Sequence, residues 1–148
     1  MWAIACRKRS AHSALWRLVR GFQQRTGIDA DLVVTGREGR LPTDVAEALH
    51  AVGRVALANT ERYGAASAVV LGLRFSPRSV TLSIQDDSTG AAQPSGKRIA
   101  DDARHFGLQG VGERVRHLGG NFIAKPGRDG GFVVRARLPF KRGPLIAP

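Results

Sequence analysis

Three short motifs hold the side chains with which this chain could do chemistry. Asn59 lies in a pattern typical of a long helix, the run Asp86–Gly90 ends a strand pattern, and Gly107–Gly110 opens another helical pattern. An amide oxygen can bind Mg²⁺, and a carboxylate accepts hydrogen bonds from amines. Small residues at a helix N-terminus let backbone N–H groups approach phosphates. The order and spacing of the three motifs predict a nucleotide pocket.

The long helix is predicted from apolar residues that recur every three or four positions in residues 42–63. Asn59 continues this apolar stripe, where an amide without a partner costs about 1–3 kcal/mol. A Mg²⁺ ion with its waters and phosphates would satisfy the amide. The alternative is a helix-end Asn bonded to the backbone, and Asn59 taken alone favours that alternative.

The carboxylate of Asp86 continues the inward-facing alternation of residues 80–84. A buried carboxylate needs a donor, and the exocyclic amine of a purine would be one. Asp87 points the other way, toward solvent. Ser88–Gly90 are small residues that allow the chain to bend around a ligand, although an Asx-type turn would explain them without a ligand.

Residues 88–106 show little periodicity, which predicts a mobile loop. The loop contains two basic pairs, Lys97–Arg98 and Arg104–His105, just before Gly107–Gly110. Together these segments predict a flexible lid over a polyphosphate. A simple N-terminal turn of the following helix is the structural alternative.

The predicted elements must bring these motifs together. Their order is helix, strand, helix, two strands, loop, helix and two strands, which predicts an α+β fold: a two-layer sandwich with a mixed, mostly antiparallel sheet covered on one face by helices. Residues 13–140 are predicted to form the domain, with 1–12 as a linker remnant and 141–148 as a disordered tail. The predicted helices cover residues 13–26, 42–63 and 108–118, and the strands 28–34, 68–75, 79–85, 121–125 and 131–138.

Composition restricts the class of protein. The 148 residues suit one domain with a real core. No apolar run approaches the roughly 20 residues of a membrane-spanning helix, and the N-terminus does not resemble a signal peptide, so we expect a cytoplasmic domain. The single Cys6 excludes an internal disulfide. The net charge of +11 is spread along the chain and few aromatic residues accompany it, so nucleic-acid binding is not favoured.

The motifs resemble those of the ATP-binding catalytic domain of sensor histidine kinases, in the ATPase superfamily that includes gyrase and heat-shock chaperones. Val55–Asn59 resembles the N box of that family, Asp86–Gly90 its aspartate-glycine box, and Gly107–Gly110 its next glycine box. The residues after the last box are similar in style to the nitrate-sensor-like subgroup of two-component systems. The resemblance covers residues 14–139 and implies a Bergerat-type ATP-binding fold.

The resemblance also implies the site, the cofactors and the partners. Asn59 would hold Mg²⁺, Asp86 would bind adenine, and residues 107–110 would line the lid and the phosphates. ATP and Mg²⁺ would be the cofactors of a transferase, and a phosphoacceptor histidine domain, a partner kinase subunit and a response regulator would be the partners. The residues implied to bind the cofactor are Asn59, Arg62, Tyr63, Asp86, Ser88, Gly90, Gly107, Leu108, Gly110, Gly131 and Phe132.

Four positions depart from the pattern of the family. Val55 takes the place of the usual Glu, so no residue is assigned as the catalytic one. Tyr63 replaces a His or Lys, Ser88 replaces a Gly, and Phe132 replaces a common Thr. Nucleotide binding is therefore predicted more firmly than turnover.

None of the four histidines has the context of a phosphoacceptor, since even His12 lacks an acidic neighbour. The chain is accordingly interpreted as the ATP-binding part of a kinase that acts on a histidine elsewhere. The alternative is a degenerate, non-catalytic module that regulates a signalling partner.

Overall fold

The elements observed are those that the periodicity predicts, with one exception. The computed structural model describes residues 10–63, 65–88 and 97–141, without the side chains of Tyr63 and of residues 97–106. In that part of the chain the elements are α1 (Ala11–Thr26), β1 (Asp29–Thr35), α2 (Thr43–Tyr63), β2 (Ala68–Phe75), β3 (Ser79–Asp86), α3 (Lys97–His117), β4 (Asn121–Pro126) and β5 (Phe132–Pro139).

Helix α1 has a clear signal at each end. The side chain of Ser10 accepts a hydrogen bond from the backbone N–H of Ser13 at 3.0 Å, which satisfies one of the free amides of the first turn. Gly27 ends the helix in the left-handed conformation, with φ of 76°, as glycine does at many helix ends. The helix buries one stripe of side chains against the rest of the domain, namely Leu15, Val19 and Phe22.

The five strands form one sheet in the order β1-β2-β3-β5-β4. β1 and β2 are parallel, and the other neighbours are antiparallel. Helix α2 connects the parallel pair, which requires a crossover of this kind. The buried side chains of the strands alternate with exposed ones, and the buried set meets the three helices. The predicted two-layer architecture, with helices on one face of a mixed sheet, is confirmed.

Helix α3 begins at Lys97, so the predicted loop is wrong for residues 97–106, and the predicted helix start near Gly107 is wrong as well. Gly107 suggested a boundary, but a glycine within a helix costs only about 1 kcal/mol relative to alanine. Burial of Leu108 and Val115 in the core opposes that cost. No helix in the described ranges is long and apolar enough to cross a lipid bilayer.

Candidate functional site

Asp86 forms the centre of the candidate site at the end of β3. Only 7% of the residue is exposed. Its Oδ1 accepts hydrogen bonds from the backbone N–H groups of Ser88 at 3.0 Å and Phe132 at 3.1 Å. Its Oδ2 lies 3.0 Å from the hydroxyl of Thr60, a hydroxyl that is also 3.1 Å from the carbonyl oxygen of Ala56. A carboxylate has about four acceptor positions, so one of them remains, on Oδ2.

The close approach of β5 to this carboxylate depends on Gly131. This residue has φ of 76°, and a Cβ on it would lie 2.1 Å from the backbone carbonyl oxygen of Asp86. Its N–H donates to the carbonyl oxygen of Ser88 at 2.8 Å. The missing side chain therefore lets β5 begin directly against the end of β3, where the amide of Phe132 reaches the carboxylate.

Two buried polar side-chain atoms, one near the end of α2 and one just after β3, have no hydrogen-bond partner among the residues described. One is Nδ2 of Asn59 and the other is Oγ of Ser88. Asn59 precedes Thr60 in the last turns of α2, and both Thr60 and Ser88 bond to Asp86. A buried polar atom without a partner costs about 1–3 kcal/mol. Each of these atoms is therefore a place where a polar ligand would complete the hydrogen bonding.

Asp87 points away from this cluster, as the strand alternation predicts. Its Oδ1 accepts from the backbone N–H groups of Ser67 at 2.8 Å and Ala68 at 3.0 Å, and its Oδ2 accepts from the Ser67 hydroxyl. The hydroxyl of Ser67, followed by the amide of Ala68, lowers the pKa of this exposed carboxyl. Asp87 thus connects the end of β3 to the start of β2 and has no direct part in the site.

The third predicted motif lies inside helix α3. Because the helix begins at Lys97, the amides of residues 107–110 belong to a helix interior, and the expected phosphate site at a helix N-terminus there is wrong. Leu108 is buried in the core. Gly107 faces α2, and a Cβ on it would lie 3.4 Å from Cγ1 of Val55, whereas Gly110 has open space around it.

The remaining predicted residues lie at the rim or outside the described ranges. Arg62 is exposed in the last turn of α2, and Tyr63 ends that helix. Gly90 falls outside the residues that the structure describes. Glu61 binds Arg25 through both carboxylate oxygens, at 2.7 and 2.8 Å, and it is therefore oriented toward α1, away from the N-box position.

Sequence reasoning missed Thr60, which is 3% exposed and bonds directly to Asp86. A signal was present, since Thr60 follows the buried Ala56 by four positions and therefore shares its helix face. A polar residue on that face has the same need for a partner as Asn59.

The chain is similar in sequence to two curated sensor kinases. It is 30% identical over 125 residues to the signal transduction histidine-protein kinase/phosphatase DegS of Brevibacillus brevis, a match covering 84% of this chain and 31% of DegS. It is 29% identical over 125 residues to the sensor histidine kinase LnrJ of Bacillus subtilis strain 168, covering 84% of this chain and 29% of LnrJ. The chain thus spans about a third of the length of these relatives. No protein-family model matches it.

Among solved structures, the ATP binding domain of PrrB from Mycobacterium tuberculosis has the same fold. The TM-score is 0.67 at 21% sequence identity, and the match covers 90% of this chain and 96% of the PrrB domain. The sequence relatives of this chain are sensor histidine kinases, and its fold is that of a histidine kinase ATP-binding domain.

Proposed function

We propose that this chain binds Mg-ATP at the end of β3 and presents it for phosphoryl transfer to a histidine on a partner or on another segment of a longer protein. The observation that carries the proposal is the buried Asp86 carboxylate, which three donors hold in place and which keeps one acceptor position. The exocyclic amine of adenine is a donor of the right kind for that position. Ser88, whose N–H donates to Oδ1 of this carboxylate, also has a buried Oγ without a partner among the described residues.

The residues at the end of α2 suit the phosphate half of the ligand. No group of three or more His, Cys, Asp or Glu side chains in the described ranges is arranged to hold a metal ion. Mg²⁺ commonly takes only one or two protein ligands and completes its shell with phosphates and waters. The amide oxygen of Asn59, Oδ1, is therefore sufficient as its protein ligand. Bound there, the ion would neutralise phosphate charge during transfer.

Three further residues contribute to the proposed site by position. Arg62 brings a positive charge to the end of α2, beside Tyr63. Phe132 contributes its backbone N–H to the orientation of the carboxylate. From the resemblance of its motifs to those of sensor histidine kinases, we also propose that the chain acts in the cytoplasm and upstream of a response regulator.

A second candidate function is a nucleotide-binding module without turnover, and Val55 favours it. This side chain packs against the core, and its Cγ1 is 3.4 Å from the Cβ position of Gly107. An apolar side chain cannot accept a proton or orient a reacting group. Val55→Glu should raise phosphotransfer if the chain is an enzyme that lacks this group, and should leave it unchanged if the chain only regulates.

Calorimetric titration of the purified chain with Mg-ATP and Mg-GTP tests the binding proposal. We expect ATP to bind in the micromolar range and GTP more weakly, because guanine presents a carbonyl oxygen where adenine presents its amine. A carbonyl oxygen facing Asp86 would pair acceptor with acceptor. Equal affinity for the two nucleotides, or no heat with either, contradicts the proposal.

A further inference from the structure

The sheet has an open face, opposite to the helices, on which no described element packs. Every second residue of each strand lies on it, and the strand register arranges these residues in rows that cross the whole sheet. Three of its apolar side chains are largely exposed: Val33 by 47%, Val70 by 48% and Ile123 by 42%. Val33 and Val70 lie on the neighbouring strands β1 and β2, and Ile123 lies on β4 at the opposite edge, so exposed apolar side chains occur on both sides of the central strand.

The first row has a symmetric pattern. Its order across the strands β1-β2-β3-β5-β4 is Asp31, Val70, Gln85, Val133 and Lys125. The acid and the base stand at opposite edges of the row, a valine follows each of them inward, and the glutamine stands at the centre. A rotation of 180° about an axis along β3 superposes the acid on the base and one valine on the other.

The neighbouring row has matching shapes. It contains Val33, Gly72, Ser83, Arg135 and Ile123. The same rotation places the two exposed apolar side chains at the edges opposite each other. It also sets the glycine, the smallest residue of the row, against the large arginine.

We propose that this open face is an interface between two copies of the chain, related by a two-fold axis that lies along β3. Two sheets that stack face to face keep their strands roughly aligned, which this axis provides. A two-fold interface must be complementary to itself, and the acid-to-base and apolar-to-apolar pairing satisfies that condition. The inference is independent of nucleotide binding.

Two features limit the strength of such a dimer. A sheet of five strands about 4.8 Å apart, each contributing about 17 Å, offers roughly 400 Å² in projection, which is small for a stable complex. A third row contains Thr35, Arg74, Thr81, Arg137 and Asn121. The same rotation opposes Arg74 of one copy to Arg137 of the other. We therefore expect a weak, concentration-dependent dimer, and Arg74→Glu should tighten it by turning repulsion into attraction.

Charge exchange at the edges tests the proposed geometry. Asp31 and Lys125 are exposed, and neither has an ion-pair partner among the described residues. Asp31→Lys alone gives lysine opposite lysine, and Lys125→Asp alone gives aspartate opposite aspartate. The two-fold axis changes two edge pairs at once, so each single variant should weaken self-association about tenfold. An equal mixture of the two variants should restore dimers, because at both edges a lysine of one variant then faces an aspartate of the other.

The dissociation constant is measured by sedimentation equilibrium of the full chain at protein concentrations from about 1 µM to 1 mM, a range that covers weak dimers. Arg20→Asp, a comparable charge reversal on the exposed side of α1, is the control and should leave the dissociation constant unchanged. A wild-type chain that is monomeric throughout would overturn the proposal. So would dimers that neither variant weakens, or a mixture that associates no better than its components. Thermal melts of the variants confirm folding.

Discussion

Asp86→Asn separates recognition of adenine from the stability of the fold. The two backbone amides at Oδ1 need an acceptor, so the asparagine oxygen should take that position and its NH₂ group should take the position of Oδ2. The hydroxyl of Thr60 can then accept from this NH₂ and donate to the carbonyl oxygen of Ala56, 3.1 Å away. The fold keeps its hydrogen bonds, and we expect a loss of stability of about 1 kcal/mol or less.

The ligand has no such alternative. The free acceptor of the wild-type site is on Oδ2, and in Asp86→Asn an adenine amine would meet an NH₂ group, donor against donor. A hydrogen bond to a charged group contributes about 1.5–3 kcal/mol, and 1.4 kcal/mol corresponds to a tenfold change in affinity. The dissociation constant for Mg-ATP should therefore rise by about 10- to 150-fold.

The assay is calorimetric titration with ATP and with purine riboside triphosphate, which carries hydrogen in place of the amine. Wild type should bind ATP about 10- to 150-fold more tightly than the analogue. Asp86→Asn should bind the two ligands with nearly equal affinity, because changing the residue and the ligand together forms a double-mutant cycle that isolates this one contact. Asp87→Asn is the matched control, since it removes the same charge from the adjacent residue on the opposite side of the strand. The reasoning is refuted if Asp86→Asn keeps the preference for ATP, or if Asp87→Asn loses as much affinity.

Three other variants test the support of the site and of the fold. Gly131→Ala places a Cβ 2.1 Å from the carbonyl oxygen of Asp86, at a φ of 76°. Urea denaturation should show that the free energy of unfolding falls by about 1–3 kcal/mol or more, and ATP should bind more weakly. An unchanged stability would contradict this geometry. Burial, and then the charge of Arg54, lower the pKa of His50 below its ordinary 6.5. As the pH falls, the unfolded chain therefore binds a proton at His50 before the folded chain does, and the free energy of unfolding decreases below about pH 6.5. His50→Gln should make the free energy of unfolding less dependent on pH between about pH 7 and pH 5. An unchanged pH profile would show that His50 does not cause this dependence. Arg25→Ala removes the ion pair with Glu61, whose two side chains are 60% and 40% exposed. The free energy of unfolding should therefore fall by less than about 1 kcal/mol. A larger decrease on denaturation would show that Arg25 has a further role.

Local periodicity was sufficient to place two of the three motifs. The spacing of apolar residues along α2 predicted that Asn59 continues the apolar stripe, and the structure leaves the residue half-buried with its Nδ2 enclosed. The alternation of β3 placed Asp86 inward and Asp87 outward. Both patterns depend only on backbone geometry, which repeats every 3.6 residues in a helix and every two in a strand. Secondary structure sufficed here because the side-chain directions follow from it.

The rest of the site depends on contacts that no local pattern contains. Thr60 bonds to a carboxylate 26 positions later, and the amide of Phe132 to one 46 positions earlier. The start of α3 was missed because Gly107 was interpreted as a boundary. A Cβ on Gly107 would make only an ordinary van der Waals contact with Val55, at 3.4 Å, so the glycine marks neither the start of the helix nor an unusually close approach of α2 and α3.

The two halves of the proposed site rest on different elements of the fold, so we expect nucleotide binding and phosphoryl transfer to be separable by mutation. The adenine half stands on the β3–β5 ladder, where Gly131 and the amide of Phe132 fix the carboxylate of Asp86. The proposed phosphate half stands instead on the end of α2, the helix that carries Val55 and Asn59. A valine rather than a glutamate at position 55 should therefore leave the proposed recognition of the purine by the sheet unchanged. A chain with this arrangement can keep ATP as a ligand whether or not it transfers the phosphoryl group.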